Sequence, residues 1–343
     1  MSSEKPNILQ TRDLAIGFLK GKNVNTVLSE INIFLKPGEL VCFMGPNGVG
    51  KSTLLRTISG VQKPLKGDVL IKNTPIQSLS LNEKAKLISI VLTDRSITAN
   101  LSVHELIVLG RHPYTNWTGN LNKEDQLKID EAISLTKIEA IADKKLHTLS
   151  DGQLQKAMIA RALAQDSDIM ILDEPTAHLD LNNRLEVMNL LLSLAHSTNK
   201  AILIATHELD LAVQTADRLW LAAFGKPIQL GTPEDMVLNG AVEKTFFNEN
   251  IKFDLYSGRF KMPQQSGTKI WLEGDDPVKL WTRHALERIG YQIEEQIKNK
   301  PNLPHIEIKV EGPISYWILT NLAREGTFRS IEALIDALVP TKE

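Results

Sequence analysis

The chain of 343 residues is 42% hydrophobic and 23% charged, with a formal net charge of -2. That length predicts one large domain with a smaller companion, and that charge excludes a global basic surface for nucleic acid. The one cysteine, Cys42, excludes a disulfide framework, fits a reducing compartment and, inside the apolar run LVCFMG, reads as core filling. The start, MSSEKPNILQTRD, lacks the order of a secretory leader. No apolar run reaches the roughly eighteen residues that cross a bilayer, so no spanning segment is expected.

Up to about residue 240, short β-rich segments alternate with helical patterns: INIFL, LVCFMG, DVLI, LISIVL, DIMILDE, AILIAT and RLWLAAF. This alternation predicts an α/β fold. DIMILD and AILIAT are nearly all apolar, as strands covered by helices on both faces should be. SDGQLQKAMIARALAQ and NNRLEVMNLLLSLAHS repeat apolar residues at helical spacing. Residues 102–146 show helix patterns without strand signals, so an inserted helical subdomain is expected over about 94–160. The pattern weakens over 241–268, through Phe246, Phe247, Asn248 and PQQSG, and predicts a linker. Residues 269–343 read as KIWLEG strand, PVKLWTRHALERIG helix, HIEIKV strand, SYWILT strand and RSIEALIDALV helix, a small C-terminal α+β domain. Trp271, Trp281 and Trp317 are expected to anchor its core, and Asp275 and Asp276 to cap its first helix.

Three stretches carry chemistry. Gly45-Pro46-Asn47-Gly48-Val49-Gly50-Lys51-Ser52, followed by Thr53, lies between an apolar strand and a helix, where the phosphate-loop pattern requires it. Glycines let backbone N–H groups converge on phosphate oxygens, the helix start adds partial positive charge, Lys51 reaches the β- and γ-phosphates, and Ser52 ligates Mg²⁺. Asp173 and Glu174 end an apolar strand. They fit an acid that holds Mg²⁺ through water and a base that deprotonates an attacking water, and equally fit two solvated acids at a strand terminus. Leu149-Ser150-Asp151-Gly152-Gln153 precedes a helix, where Ser150 or Asp151 serves as N-cap.

The order of phosphate loop, LSDGQ, DIMILDEP, HLD and a strand ending in Thr206-His207-Glu208 resembles the ATP-binding cassette ATPases over roughly residues 7–240. The resemblance implies an ABC-type nucleotide-binding domain of the P-loop NTPase fold, with ATP and Mg²⁺ as its ligands and hydrolysis as its reaction. It implies that Phe18 stacks on adenine. It further implies that Ser150, Gly152 and Gln153 contact the γ-phosphate of ATP held by a second copy in a head-to-tail dimer. Asp151 stands where the family has glycine and is expected to turn away as an N-cap. His178-Leu179-Asp180 resembles the loop that communicates across the dimer, which places Asp180 at the nucleotide, and His207 matches the histidine that senses γ-phosphate. Where the family has a glutamine at Mg²⁺, this chain has Leu92-Thr93-Asp94, and Thr93, with a shorter reach, is expected to serve the metal through a water.

Leu101 to Tyr114, ending Gly110-Arg111-His112-Pro113-Tyr114, looks like the helical-subdomain segment of cassettes that drive import of iron chelates, haem and cobalamin; it also reads as a helix stopped by Gly110 and Pro113. The importer reading implies a groove near residues 93–117 for a helix of a transmembrane permease and, indirectly, a substrate-binding protein. It also implies a cytoplasmic place at the inner face of the membrane. A regulatory ATP-binding module with little turnover is the alternative, because Thr93 replaces the glutamine. One phosphate loop excludes a two-cassette translation protein, and the absence of heptads excludes a chromosome-maintenance cassette.

Overall fold

The computed structural model describes residues 6–21, 23–92, 100–115, 119–247, 252–255, 258–261, 267–294, 303–322 and 325–339. The chain divides into two units, residues 1–248 with 253–259, and residues 249–252 with 260–343.

In the first unit, β1 (Leu9–Lys20) and β2 (Asn23–Ile31) pair antiparallel. β3 (Leu40–Met44) runs into α1 (Lys51–Ile58), and β4 (Lys66–Ile71) returns to pair with β1. β5 (Ile88–Val91) is followed by three helices, α2 (Val103–Val108), α3 (Lys123–Thr136) and α4 (Asp151–Ala164). The chain continues through β6 (Ile169–Asp173), α5 (Leu181–Thr198), β7 (Ala201–Ala205), α6 (Leu209–Thr215), β8 (Arg218–Leu221) and β9 (Gln229–Gly231). It ends in α7 (Pro233–Leu238) and α8 (Ala241–Thr245).

The central sheet has the order β9-β8-β3-β7-β6-β5, parallel except for β9. Its middle strands are as apolar as their sequence requires. Every residue of β3 and β7 is buried, and Phe43 meets the buried Trp220 edge-on at 6.1 Å. Cys42 lies in this core, where burial and the charge of Asp217 push its thiol up to about 12, so it is inert filling.

Residues 241–268, expected as a linker, hold more structure than that. Ala241, Val242 and Thr245 of α8 are buried in the first unit, and Lys252–Asp254 pairs with Arg259–Lys261. A helix of 5 residues is too short for its periodicity to register in the sequence.

In the second unit, β10 (Lys269–Glu273), α9 (Val278–Arg288), β11 (Gln292–Glu294), β12 (His305–Glu311), β13 (Ile314–Thr320), β14 (Gly326–Phe328) and α10 (Ile331–Leu338) follow in order. The sheet order is β11-β10-β12-β13-β14. Ile270, Leu272, Ile306, Ile308, Trp317 and Leu319 alternate onto one face and pack against Leu286 of α9 and Leu334 and Leu338 of α10. Trp317 is anchored there, its Nε1–H donating to Thr282 Oγ1 at 2.7 Å. Trp281 is not a core anchor. It is 63% exposed and meets His284 edge-on, because its position on α9 faces away from the sheet. Trp271 lies on the opposite sheet face, stacked on His305 at 3.8 Å. Nor do Asp275 and Asp276 cap α9 with their side chains: the N-cap is Pro277, and Asp275 contributes its carbonyl to Lys279 N–H.

Candidate active site

Parallel pairing brings the ends of three strands into one row. Phe43 of β3 pairs with Ala205 of β7, which pairs with Asp173 of β6. The residues that follow therefore emerge together at the carboxyl edge of the sheet, where ligands of open α/β sheets bind. They are the phosphate loop after β3, Glu174 after β6 and His207 after β7. Two backbone bonds hold this edge, Glu174 N–H to Ala205 O at 2.9 Å and Thr206 N–H to Phe43 O at 3.1 Å.

The phosphate loop leaves the start of α1 open. Its N-cap is Gly50, in the left-handed region at φ 112, with no side-chain cap bond and no acidic residue in the first turn. A Cβ on Gly50 would stand 2.5 Å from Val27 Cγ1. Because no side chain among the described residues takes the first-turn N–H groups, they and the helix dipole suit anionic oxygens. Asn47, Gly48 and Ser52 are exposed, Pro46, Gly50 and Thr53 half-buried, and Gly45 and Val49 buried. Lys51 is buried and its ammonium donates to Gly45 O at 2.9 Å and Pro46 O at 3.4 Å. Burial pulls this lysine below its ordinary value, and the carboxylates of Glu174 and Asp173 act against that without cancelling it.

Glu174 sits at φ 50, a left-handed conformation costly for a side-chain-bearing residue and held by its bond to β7. Its Oε2 lies 2.7 Å from His207 Nδ1, with Glu174 21% and His207 62% exposed. A carboxylate oriented by an imidazole, within the field of a buried lysine, can accept a proton from water. Phe18, near the end of β1 beside Asn25, is 47% exposed and offers a ring face. Thr93 lies outside the described residues.

A second cluster forms around α4. Ser150 is its N-cap: its Oγ accepts from Gln153 N–H at 3.3 Å, and Gln153 Oε1 accepts from Ser150 N–H at 3.2 Å. Asp151 is thus the first helical residue and not the cap, since the Ser-x-x-Gln spacing completes the box one residue earlier. A Cβ on Gly152 would fall 2.5 Å from Asn183 Oδ1. Asn183 in turn binds Asp180, N–H to Oδ1 at 2.8 Å and Nδ2 to Oδ2 at 2.9 Å. Sequence patterns did not single out Asn183, Arg184 or Glu208. The signal available was an N-cap Asp180 followed three residues later by the side-chain amide of Asn183.

Behind this cluster, Arg111 is buried. It donates through Nε to Asp125 at 2.9 Å and through Nη1 to Ala164 O at 2.8 Å, with its guanidinium 4.0 Å from the Tyr114 ring. Gly110 is forced by close approach, a Cβ there standing 2.3 Å from Arg161 O. His112, Pro113 and Thr115 instead line an open groove of about 580 Å³ with Leu81, Asn82 and Ala85.

A glycine-lined lysine loop at the carboxyl edge of a parallel sheet, facing an Asp-Glu pair and a histidine, defines a P-loop ATPase with an inserted helical arm. Residues 28–177 match the ABC transporter family and residues 266–339 the iron ABC transporter C-terminal domain. An uncharacterized ABC transporter ATP-binding protein of Methanocaldococcus jannaschii is 37% identical over 255 residues, 74% of this chain and 87% of that protein. A petrobactin import ATP-binding protein of Bacillus anthracis is 34% identical over 264 residues, 76% of this chain and 95% of that one. The dimeric structure of a bacterial ABC transporter cassette superposes with a TM-score of 0.57 at 27% identity, over 66% of this chain and 98% of that one. The chain belongs to the ATP-binding proteins of ABC transporters. It binds ATP and is an ATPase.

Proposed function

We propose that this chain is the ATP-hydrolysing subunit of an importer for iron-siderophore, haem or cobalamin, acting as a dimer on a separate permease. The 2.7 Å pairing of Glu174 with His207 at the edge that carries Lys51 is the observation that favours turnover over simple nucleotide retention. The importer class is supported by the match of residues 266–339 to the iron ABC transporter C-terminal domain and by the petrobactin import relative. The cassette is taken to include α8, which the first unit buries, and so to end near residue 248, with 269–343 as the accessory unit.

In this reading, Lys51 exchanges the Gly45 and Pro46 carbonyls for phosphate oxygens, and the N–H groups of residues 47–53 surround them. Phe18 stacks on the base. Ser52 and Asp173 would hold Mg²⁺, with Thr93 the remaining candidate, and the ion would supply positive charge against the phosphates. Glu174 takes the proton of the attacking water, and His207 keeps the carboxylate aimed. Ser150, Gly152 and Gln153 serve the nucleotide of the second copy, Asp180 lying beside them; the dimeric cassette of similar fold supports this arrangement. ATP then favours the closed dimer, and loss of the γ-phosphate contacts permits reopening. The groove at His112 and Pro113, flanked by the 83% exposed Leu81, fits an amphipathic permease helix. No helix among the described residues is long and apolar enough to cross a membrane, so docking at the cytoplasmic face would place the chain there. The test is phosphate release by the purified chain, alone and with its co-encoded permease in vesicles supplied in separate assays with an iron chelate, haem or cobalamin. ATP-dependent uptake supports the importer; turnover without uptake of any of the three solute classes removes it.

A further inference from the structure

His207 is exposed and has little packing of its own, so its aim at Glu174 depends on what holds its flanks. On one side Thr206 is tied to β3, and its Oγ1 accepts from Glu208 N–H at 3.1 Å, which closes a tight turn around the histidine. On the other side stands Glu208. It occupies the N-cap position of α6 but makes no side-chain capping bond. Its carboxylate turns instead to Arg184, Oε1 to Nη1 at 3.2 Å, with the Glu208 side chain only 11% exposed. Arg184 uses its other face on the preceding loop: Nε donates to Leu179 O at 2.7 Å, one residue before Asp180. One guanidinium therefore spans the Leu179–Asp180 turn and the His207–Glu208 turn, which a lysine's single ammonium cannot do in the same way.

We infer that Arg184 is a positioning residue that clamps the His207 turn to the Asp180 turn and so sets the distance between His207 and Glu174. The inference rests on the reading of Glu174 and His207 as the hydrolytic pair. The partners differ in burial, Arg184 being 40% and Glu208 11% exposed, so loss of the arginine also costs stability and the kinetic readout is what isolates the positioning role. It also places the clamp one residue from Asn183, which lies against the Gly152 backbone, so both residues of this helical turn hold loops that the reaction uses.

The test uses the full chain with Arg184→Gln, Glu208→Gln and both together, beside Glu174→Gln. Each single variant is expected to lower kcat about 10- to 100-fold, as misplacement of a reacting group by about 1 Å does. Affinity for a fluorescent ATP analogue should stay close to that of the parent, while Arg184→Gln lowers the melting temperature by leaving the largely buried Glu208 carboxylate unpaired. The double variant should fall no further than the worse single one, since the two side chains act through one contact. Unchanged kcat in Arg184→Gln, or losses that multiply in the double variant, would overturn the clamp. So would a crystal structure of Arg184→Gln in which His207 still lies 2.7 Å from Glu174. Full turnover in Glu174→Gln would instead remove the hydrolytic pair, and that crystal structure would still decide whether Arg184 sets the histidine.

Discussion

The phosphate loop and the LSDGQ turn both lead a glycine- and serine-containing stretch into a helix, yet they finish their helices in opposite ways. α1 begins on a left-handed Gly50 with no side-chain cap, whereas α4 begins on Ser150 inside a reciprocal box with Gln153. The first helix leaves its N–H groups to a ligand. The second has spent Ser150 and Gln153 on itself, which suits the proposed role of a formed surface that meets a nucleotide held elsewhere and does not wrap one. A helix start is an anion site when the chain withholds its own cap, and here only one of two similar motifs does so.

The comparison predicts that chemistry resides on the α1 side. Glu174→Gln should lower phosphate release about 10²- to 10⁴-fold while nucleotide titration shows unchanged affinity; undiminished release would move the chemistry away from this edge. Next in size is the buried pair behind the α4 side. Asp125→Ala leaves Arg111 buried without its carboxylate and should cost about 3–5 kcal/mol in equilibrium urea unfolding, with ATP affinity of the folded chain retained. Burial pushes the Asp125 carboxyl up, but the Asn122 N–H and the hydrogen bond and charge of Arg111 outweigh it and hold the group below the usual carboxylate value. Its contribution is therefore complete above about pH 4 and is lost as pH falls further, a loss that Asp125→Asn should abolish.

Lys51→Ala should weaken ATP binding about 10- to 100-fold by calorimetric titration, the loss of charge-assisted bonds worth about 1.5–3 kcal/mol. Equal affinity would show that the open helix start binds phosphate unaided. The smallest effect belongs to the capped turn: Ser150→Ala should cost about 1 kcal/mol in thermal unfolding and weaken ATP-driven dimerisation, leaving the affinity of the single chain unchanged. A matching loss of single-chain affinity would erase the distinction between the two turns.

Much of this was legible before any coordinates. Runs such as LVCFM and AILIA read as doubly covered strands because burial on both faces removes the polar alternation, and both are fully buried. The phosphate loop read clearly because glycine, lysine and serine at fixed spacing each answer a separate demand of a phosphate. Other features were hidden for physical reasons. Asp275 and Asp276 offered the right residue types for a cap but not the backbone to place them. Trp281 carries the same hydrophobic signal as Trp317, and only the facing of α9 separates an exposed ring from a buried one.

The residue sequence by itself determined strands β3 and β5 to β8 of the central sheet, the identity of the phosphate loop and the presence of Asp173, Glu174 and His207, because these follow from local spacing and composition. Only the tertiary structure decided that Phe43, Ala205 and Asp173 stand in one row, that Ser150 and not Asp151 caps α4, and that Arg184 reaches Glu208. Sheet register and helix packing join residues far apart in the chain, and no local pattern encodes which side chain will meet which across that distance.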